Sequence, residues 1–161
     1  MDKVINQAIT EHYALYNGDS CEVMQGLPDE SMDYSIFSPP FADLYTYSDS
    51  PRDLGNCRST KEFYKQFSYI VAELFRIIKP GRLVSIHCMD LPTTKANDGF
   101  IGLRDFPGIL TKLFQDYGFY YHSKITIWKD PVIAMQRTKA LGLLHKQIKK
   151  DSAMSRQGIA D

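Results

Sequence analysis

The alternation of apolar and polar positions divides the first part of the chain into short elements. It predicts a short strand over Tyr13–Asn17, followed by a helical turn that Ser20 caps. Met32–Phe37 is an apolar-rich run bounded by turn residues, which predicts a buried strand. This strand must end at Ser38-Pro39-Pro40, because proline has no N–H group to donate to a sheet ladder.

The middle of the chain holds a long irregular segment and the clearest helical pattern. Residues 42–58 show neither helical nor strand periodicity, which predicts a loop of the kind that often forms a lid or a binding loop. Ser59 and Glu62 have the spacing of a capping box, and Pro80-Gly81 ends the helix that follows. Leu83–Cys88 then predicts a second buried strand. The apolar face of the helix consists of Phe63, Phe67, Ile70, Val71, Leu74, Ile77 and Ile78.

The rest of the chain continues to alternate polar and apolar segments. Asp90–Arg104 predicts a polar loop, and Asp105 caps a predicted helix that ends before Gly118. Phe119–Trp128 predicts a further strand. Gln136–Lys150 predicts a last helix with leucine and isoleucine side chains on its inward face.

This order of strands and helices predicts the fold class and the location of a ligand. Alternating strands and helices are typical of an open α/β sheet with helices packed on its faces. In such sheets, ligands bind beyond the carboxyl ends of the strands. Both predicted loops leave from those ends, and so does Ser38-Pro39-Pro40-Phe41. The 161 residues suit one domain with a sizeable core.

Charge adds a condition on any nucleic-acid partner. The formal net charge is zero, so binding to DNA would need a local cluster of basic residues. Such a cluster lies on the last predicted helix, with no acidic residue between Asp130 and Asp151. A solvated helix face explains this basic run equally well. Its members are Arg137, Lys139, Lys146, Lys149 and Lys150.

Cysteine and histidine usage argues against a disulfide scaffold and against a metal site. The three cysteines form no C-x-x-C pair, and the four histidines are scattered along the chain. No signal peptide is recognisable, and no apolar stretch approaches the roughly 20 residues that span a bilayer. We therefore expect a reduced, cytoplasmic protein without a metal ion and without a membrane partner.

Ser38-Pro39-Pro40-Phe41 combines groups suited to one kind of chemistry. The Ser38 hydroxyl and the Pro39 carbonyl offer two hydrogen-bond acceptors on a backbone that the prolines restrict. Such a pair can hold an exocyclic base amino group and direct its lone pair at a methyl donor. Phe41 offers a flat apolar face on which an extruded base can stack. The alternative is a rigid turn that only ends the strand.

This strand ending in Ser-Pro-Pro-Phe resembles the amino-methyltransferase family of DNA modification enzymes, the N-4/N-6 methylases. The family signature is Asp, Asn or Ser, then Pro-Pro, then an aromatic residue. Other segments that look like the family's follow in the same order, over roughly residues 13–130. They are Leu15–Asp19, Leu27–Asp29, Ser31–Asp33, Leu74–Leu83, Tyr117–Phe119 and Ile127–Lys129.

The resemblance implies a Rossmann-like methyltransferase sheet with flanking helices. It implies methyl transfer from S-adenosylmethionine to the amino group of a flipped cytosine or adenine in DNA, in a bacterial or phage restriction–modification setting. Serine at the first motif position favours cytosine. Cofactor contacts are expected from Asp19, Ser38 and Pro39, although a helix cap explains Asp19 equally well. Substrate contacts are expected from Phe41, Tyr45, Tyr47, Arg137 and Lys139.

One departure from the family concerns the cofactor. None of the ten glycines forms the Phe-x-Gly-x-Gly loop between a strand and a helix that binds S-adenosylmethionine in this family. We therefore expect residues 1–161 to be a partial catalytic domain without the Gly-rich loop and the target-recognition region. The expected partners besides DNA are a second copy of the chain, in a homodimer, or a complementing C-terminal half. Two alternatives remain: a non-catalytic fragment that binds DNA or a partner, and a methyltransferase for RNA or protein glutamine, whose relatives usually carry asparagine in place of Ser38.

Overall fold

A computed structural model describes residues 4–41, 48, 52–57 and 59–130 of the chain. These residues fall into two compact units, which we describe separately. The first contains residues 4–39, 64–89 and 107–120, and the second contains the described residues of 40–63, 90–106 and 121–130. In chain order the elements are β1 (Val4–Ile9), β2 (Ala14–Gly18), α1 (Ser20–Gln25), β3 (Met32–Phe37), α2 (Thr60–Ile77), β4 (Ile78–Ile86), β5 (Leu91–Thr93), α3 (Lys95–Asp98), β6 (Gly102–Arg104) and α4 (Phe106–Asp116).

The first unit is built on the parallel pair β3 and β4. Its register runs from Tyr34 opposite Leu83 to Phe37 opposite Ile86. On one face of β3, the Phe37 ring contacts Phe67 of α2 at 6.3 Å between ring centroids. Apolar side chains of α2 and α4 extend this core, and the buried ones are Phe67, Val71, Leu74, Ile77, Leu110, Leu113 and Phe114. The predicted combination of parallel strands with flanking helices is therefore confirmed, and the fold is α/β.

The other face of β3 corrects the prediction that both central strands are buried. Alternation along a strand places Tyr34 and Ile36 opposite Phe37. These side chains are 51% and 69% exposed, and their neighbour Leu83 on β4 is 51% exposed. Within the part of the chain that the structure describes, only one face of this pair carries a buried apolar layer. An apolar run alone could not reveal which face is covered.

Helix α2 ends earlier than Pro80-Gly81, which the sequence predicts as its end. The helix stops at Ile77, where the N–H groups of Glu30 and Ser31 donate to the carbonyl oxygens of Arg76 and Ile77. Ile78 already pairs with Met32, and Lys79, the residue before Pro80, disfavours helical geometry, so the chain is extended here. The helix thus ends before the predicted position.

Four residues, Lys79 to Arg82, then loop out of the β4 ladder before Leu83 resumes it. Gly81 adopts a φ of 77° within this bulge, a backbone conformation that favours glycine. Asp33 on β3 faces the bulge, and its carboxylate pairs with Lys79 at 2.8 Å and Arg82 at 3.3 Å. The salt bridges fix the bulge at the amino end of the sheet.

Arg76 links α2 to the segment between α1 and β3. Its guanidinium donates to the backbone carbonyl oxygens of Met24 and Leu27, both at 2.8 Å, and pairs with the carboxylates of Glu73 and Asp29. These carboxylates raise the pKa of the guanidinium. A planar group with several fixed donors can satisfy these acceptors together.

Two further elements correct the prediction for residues 90–104. The sequence predicts a polar loop, whereas β5 and β6 form an antiparallel hairpin in the second unit. Leu91 and Thr93 alternate inward and are 2% and 5% exposed. Asp98 closes the connection by accepting hydrogen bonds from the Thr94 N–H at 2.9 Å and the Arg104 guanidinium at 2.7 Å. The polar residues therefore stabilise a hairpin.

The prediction of a strand over Phe119–Trp128 is wrong. The described residues 119–130 contain neither strand nor helix. Phe119 packs against Phe75 and Phe114, but the apolar positions after it are exposed, with Tyr120 at 96% and Ile125 at 87%. A strand needs a hydrogen-bonded neighbour, and the described part of the chain pairs none with this segment. The predicted helix Gln136–Lys150 lies outside the described residues.

Helix ends agree better with the sequence. Ser59 caps α2, since its hydroxyl accepts a hydrogen bond from the Glu62 N–H at 3.2 Å. Gly118, predicted just beyond α4, has a φ of 100°. The Gly118 and Phe119 N–H groups donate back to Gln115 and Phe114, the pattern of a Schellman motif. Strand β1, in contrast, has no sequence prediction and pairs with β2 as an antiparallel hairpin.

Candidate active site

Ser38 lies at the carboxyl end of the parallel pair, where the sequence predicts it. The last ladder pair joins Phe37 and Ile86, and the His87 N–H then donates to the Phe37 carbonyl at 2.9 Å. This extra hydrogen bond continues the ladder by one step. It places Ser38 next to His87, each one residue beyond the end of its strand. The carboxyl edge of a parallel sheet is where α/β proteins bind ligands.

The Ser38 hydroxyl makes two contacts with His87. Its Oγ lies 2.8 Å from the imidazole Nδ1 and 3.0 Å from the His87 carbonyl oxygen. Both side chains are exposed to solvent. The hydroxyl is therefore held in place and is still accessible to a substrate.

The rest of the motif continues into the second unit. Pro39 is buried and ends the first unit, and Pro40 begins the second. Phe41 is half-buried, and its ring meets Phe106 edge-on, with ring centroids 6.3 Å apart and planes at 75°. Phe106 is itself fully buried against Phe63, so part of the Phe41 ring belongs to the core of the second unit.

Asp19, an expected cofactor contact, is the N-cap of α1. Its Oδ1 accepts hydrogen bonds from the N–H groups of Cys21 at 2.9 Å and Glu22 at 3.4 Å. This corrects the prediction that Ser20 caps the turn, because Ser20 is already the first helical residue. Asp19 directly follows β2, so it also lies at the carboxyl end of a strand. Whether it contacts an adenosyl group stays a prediction.

Cys21, beside this cap, is not a nucleophile near neutral pH. Burial, followed by the negative charges of Asp19, Glu73 and Glu22, raises the pKa of its thiol to about 11. The thiol therefore stays protonated, and the thiolate is the reactive form.

His87 contacts Ser38, a pairing that the sequence does not predict. It lies near the end of the predicted strand Leu83–Cys88, where a histidine is more often structural than functional. Only the pairing of β3 with β4 brings it beside Ser38, although the two are 49 positions apart. The sequence does place Ser38 and His87 alike, because each is a polar residue at or near the carboxyl end of a predicted strand.

Other predicted site residues cannot be placed relative to Ser38. Tyr45, Tyr47, Arg137 and Lys139 lie outside the described residues. In residues 4–41, 48, 52–57 and 59–130, no group of three or more His, Cys, Asp and Glu side chains could hold a metal ion. None of the helices described for this chain is long and apolar enough to cross a membrane.

Comparison with known proteins supports the fold through structure alone. No protein-family model matches the sequence, and no curated protein matches it. Two solved structures of a provisionally assigned DNA modification methylase from Thermus thermophilus resemble it. The selenomethionine derivative has a TM-score of 0.50 and 19% identity, over 64% of this chain and 37% of that chain. The complex with S-adenosyl-L-methionine has a TM-score of 0.49 and 22% identity, over 64% of this chain and 40% of that chain.

The chain thus spans about two fifths of the length of that protein. At this level of identity the likeness concerns the fold and not the substrate. The chain therefore shares its α/β fold with that solved structure over 64% of its length.

Proposed function

We propose that this chain carries the base-binding side of an S-adenosylmethionine-dependent DNA amino-methyltransferase. The observation that supports it best is the Ser38 hydroxyl, held at the carboxyl edge of β3 and β4 and followed by two prolines. The fold shared with a provisionally assigned DNA modification methylase agrees with this proposal. The specific reaction rests on the chemistry of Ser38-Pro39-Pro40-Phe41.

Ser38 and Pro39 would act on the amino group of the base. The lone pair of an exocyclic amino nitrogen is delocalised into the ring, so the nitrogen is a weak nucleophile. Hydrogen bonds from the amino hydrogens to the Ser38 hydroxyl and the Pro39 carbonyl would draw the nitrogen toward tetrahedral geometry. Both acceptors are fixed before the base arrives, which lowers the entropic cost of alignment.

The residues present suit part of the methyl donor. S-adenosylmethionine supplies an electrophilic methyl group, and its ribose hydroxyls need hydrogen-bond acceptors. Asp19 offers a carboxylate at the carboxyl end of β2, where its Oδ1 also accepts the hydrogen bonds that cap α1. The ten glycines include no Gly-rich loop between a strand and a helix for the rest of the group. We propose that another polypeptide segment supplies it.

The target base and the remaining DNA contacts extend the proposal. Serine at the first motif position favours the N-4 amino group of cytosine, with the N-6 amino group of adenine as the alternative. Phe41 would stack on the flipped base with the part of its ring that stays exposed. Tyr45 and Tyr47 would contribute to the base pocket, and Arg137 and Lys139 would bind backbone phosphates.

Transfer of a tritiated methyl group tests the role of Ser38. The full-length gene product would be incubated with labelled S-adenosylmethionine and long unmethylated DNA of mixed sequence, since the recognition site is unknown. We expect Ser38→Ala to lower the transfer rate by roughly 10²-fold, the scale for losing one positioned hydrogen-bonding group.

Ser123→Ala is the matched control. Ser123 is also exposed and also bonded to a histidine, with its Oγ 3.0 Å from the His122 Nδ1, but it lies outside the motif. It should transfer methyl groups at the wild-type rate. Undiminished transfer by Ser38→Ala would rule out the role assigned to Ser38.

One observation favours a second function, a non-catalytic module that binds DNA or a partner chain. It is the lack of a Gly-rich cofactor loop among the glycines of this sequence. Calorimetry of residues 1–161 with S-adenosylmethionine separates the two. Tight binding would favour catalysis and contradict an incomplete cofactor site, whereas DNA binding without cofactor binding would favour the module.

A further inference from the structure

We propose that His87 acts through Ser38, first orienting its hydroxyl and then accepting the proton that methyl transfer releases. This inference rests on the proposed function and adds a positioning residue to it. Its basis is the pair of contacts between one hydroxyl and two different atoms of the same histidine, at 2.8 Å and 3.0 Å.

The two contacts suit the two protonation states of the imidazole. A serine hydroxyl has one hydrogen to donate and two lone pairs to accept with. When the Nδ1 of His87 is unprotonated, it can accept the Ser38 hydrogen, which leaves the oxygen of Ser38 to accept from the base amino group. When Nδ1 carries a proton, it donates to Oγ, and the hydroxyl hydrogen turns to the His87 carbonyl 3.0 Å away. The hydroxyl thus has an acceptor in either state.

Methyl transfer to an amino group releases a proton, which the Ser38–His87 pair can accept. Formation of the bond between the amino nitrogen and the methyl carbon leaves the electron pair of the broken sulfur–methyl bond on sulfur. The methylated nitrogen then carries one proton too many. That proton passes to the Ser38 oxygen as the hydroxyl proton passes to His87 Nδ1. The resulting imidazolium releases a proton to water, and the neutral imidazole is restored.

The surroundings of His87 permit this exchange. The side chain is exposed, so the ring can return its proton to solvent. The salt bridges of Asp33 with Lys79 and Arg82 lie at the opposite, amino end of the same two strands. On the paired strand, the Tyr34 hydroxyl donates to Ser85, and Cys88 follows His87 in the chain.

Nuclear magnetic resonance of residues 1–161 tests the pairing without requiring activity. Two-bond proton–nitrogen spectra report which ring nitrogen of each histidine is protonated. In the neutral ring of His87 we expect the proton on Nε2, with Nδ1 accepting a hydrogen bond. Ser38→Ala should shift the Nδ1 resonance of His87, and Ser123→Ala should shift only that of His122. An unchanged His87 resonance in Ser38→Ala would overturn the proposal.

Kinetics of the full-length gene product test the two roles. We expect His87→Ala to lower the single-turnover rate of methyl transfer by roughly 10²-fold, within the range of general-base catalysis, with little change in KM. His87→Asn keeps an acceptor oxygen near the position of Nδ1 but cannot take up a proton. It should regain roughly tenfold, the scale of one hydrogen bond.

The pH dependence distinguishes proton acceptance from packing. The acid limb of the wild-type rate should have the same midpoint as the His87 titration followed by magnetic resonance, and His87→Asn should lose that limb. His122→Asn is the matched control and should behave as wild type, because its serine partner lies outside the motif.

The outcomes separate the inference from the proposed function. Suppose that the wild type is active and Ser38→Ala is inactive. A His87→Ala rate within a factor of about three of the wild-type rate would then overturn the role of His87 but not the proposed function. Wild type without methyl transfer would overturn the proposed function and, with it, the role of His87. Loss of the acid limb in His122→Asn would also contradict the proposal.

Discussion

Replacement of Gly118 by alanine gives the sharpest test of how the first unit is held together. Gly118 ends α4 with a φ of 100°, which an L side chain adopts only under strain. A Cβ there would lie 3.0 Å from the Cε2 and Cζ atoms of Phe75. That ring already packs edge-on against Phe119, with centroids 5.3 Å apart. The substitution therefore strains the backbone and displaces an aromatic pair.

The magnitude follows from these two effects. A left-handed conformation costs a residue with a Cβ roughly 1–2 kcal/mol. Loss of an edge-on aromatic pair costs roughly 0.5–1.5 kcal/mol more. We expect Gly118→Ala to lower the free energy of unfolding by about 1.5–3.5 kcal/mol, a large fraction of the stability of an ordinary domain.

Two other glycines separate the contributions. Gly81 and Gly99 have φ values of 77° and 80°, but a Cβ on either would meet nothing within 4 Å. Their alanine variants should lose only the backbone part, about 1–2 kcal/mol. Urea unfolding followed by circular dichroism measures all three at constant m-value. Equal losses in the three variants would show that the contact with Phe75 carries no energy, and an unchanged Gly118→Ala would refute the strain as well.

Three further predictions concern stability. Phe67→Leu removes a fully buried ring between Phe37 and Phe114 and should lower the free energy of unfolding by roughly 1–3 kcal/mol in urea titrations. Tyr69→Ala, on the exposed side of the same helix, should change it by less than about 0.5 kcal/mol. Asp19→Ala should lower the free energy of unfolding by roughly 0.5–2 kcal/mol, because it removes the α1 cap, and Ser20→Ala should lower it by much less. A larger loss in Ser20→Ala would show that Ser20 is the cap. The Thr94 N–H, followed by the Arg104 guanidinium, lowers the pKa of Asp98, so its stabilisation is complete above the ordinary value of 3.8 and is lost as pH falls through the lower folded-state pKa. Asp98→Asn should therefore flatten the decline of the unfolding midpoint in acid, and an unchanged acid limb would contradict this.

The elements that the sequence predicts correctly carry their signals locally. Strand β3 matches its prediction at both ends because Pro39 and Pro40 block the ladder. The α2 start follows from Ser59, and the α4 end follows from Gly118. In each case one or two neighbouring residues determine the boundary.

The failures involve partners that are distant in sequence. Strand β1 forms only because β2 pairs with it, and the β5–β6 hairpin depends on inward Leu91 and Thr93 within a polar stretch. Phe119–Trp128 has the composition of a strand but no paired neighbour in the described part of the chain. Periodicity reports which residues prefer an extended backbone, and it does not report whether another strand is available.

The candidate site also combines one feature that the sequence predicts with one that it does not. The motif places Ser38 at the end of a strand, and the structure agrees. The contact with His87 depends on the register of two strands that α2 separates in the chain, with Phe37 opposite Ile86. No local pattern around either residue contains that register, so the pairing had to come from the structure.

Mass spectrometry of the nucleosides from treated DNA tests the central claim most directly. Long unmethylated DNA would be incubated with S-adenosylmethionine and the full-length gene product, then digested to nucleosides. The account predicts a methylated amino group, on N-4 of cytosine or else on N-6 of adenine, and its loss in Ser38→Ala but not in Ser123→Ala. Methylation of carbon 5 of cytosine would contradict it. So would the absence of any methylated nucleoside when the protein is folded and binds S-adenosylmethionine.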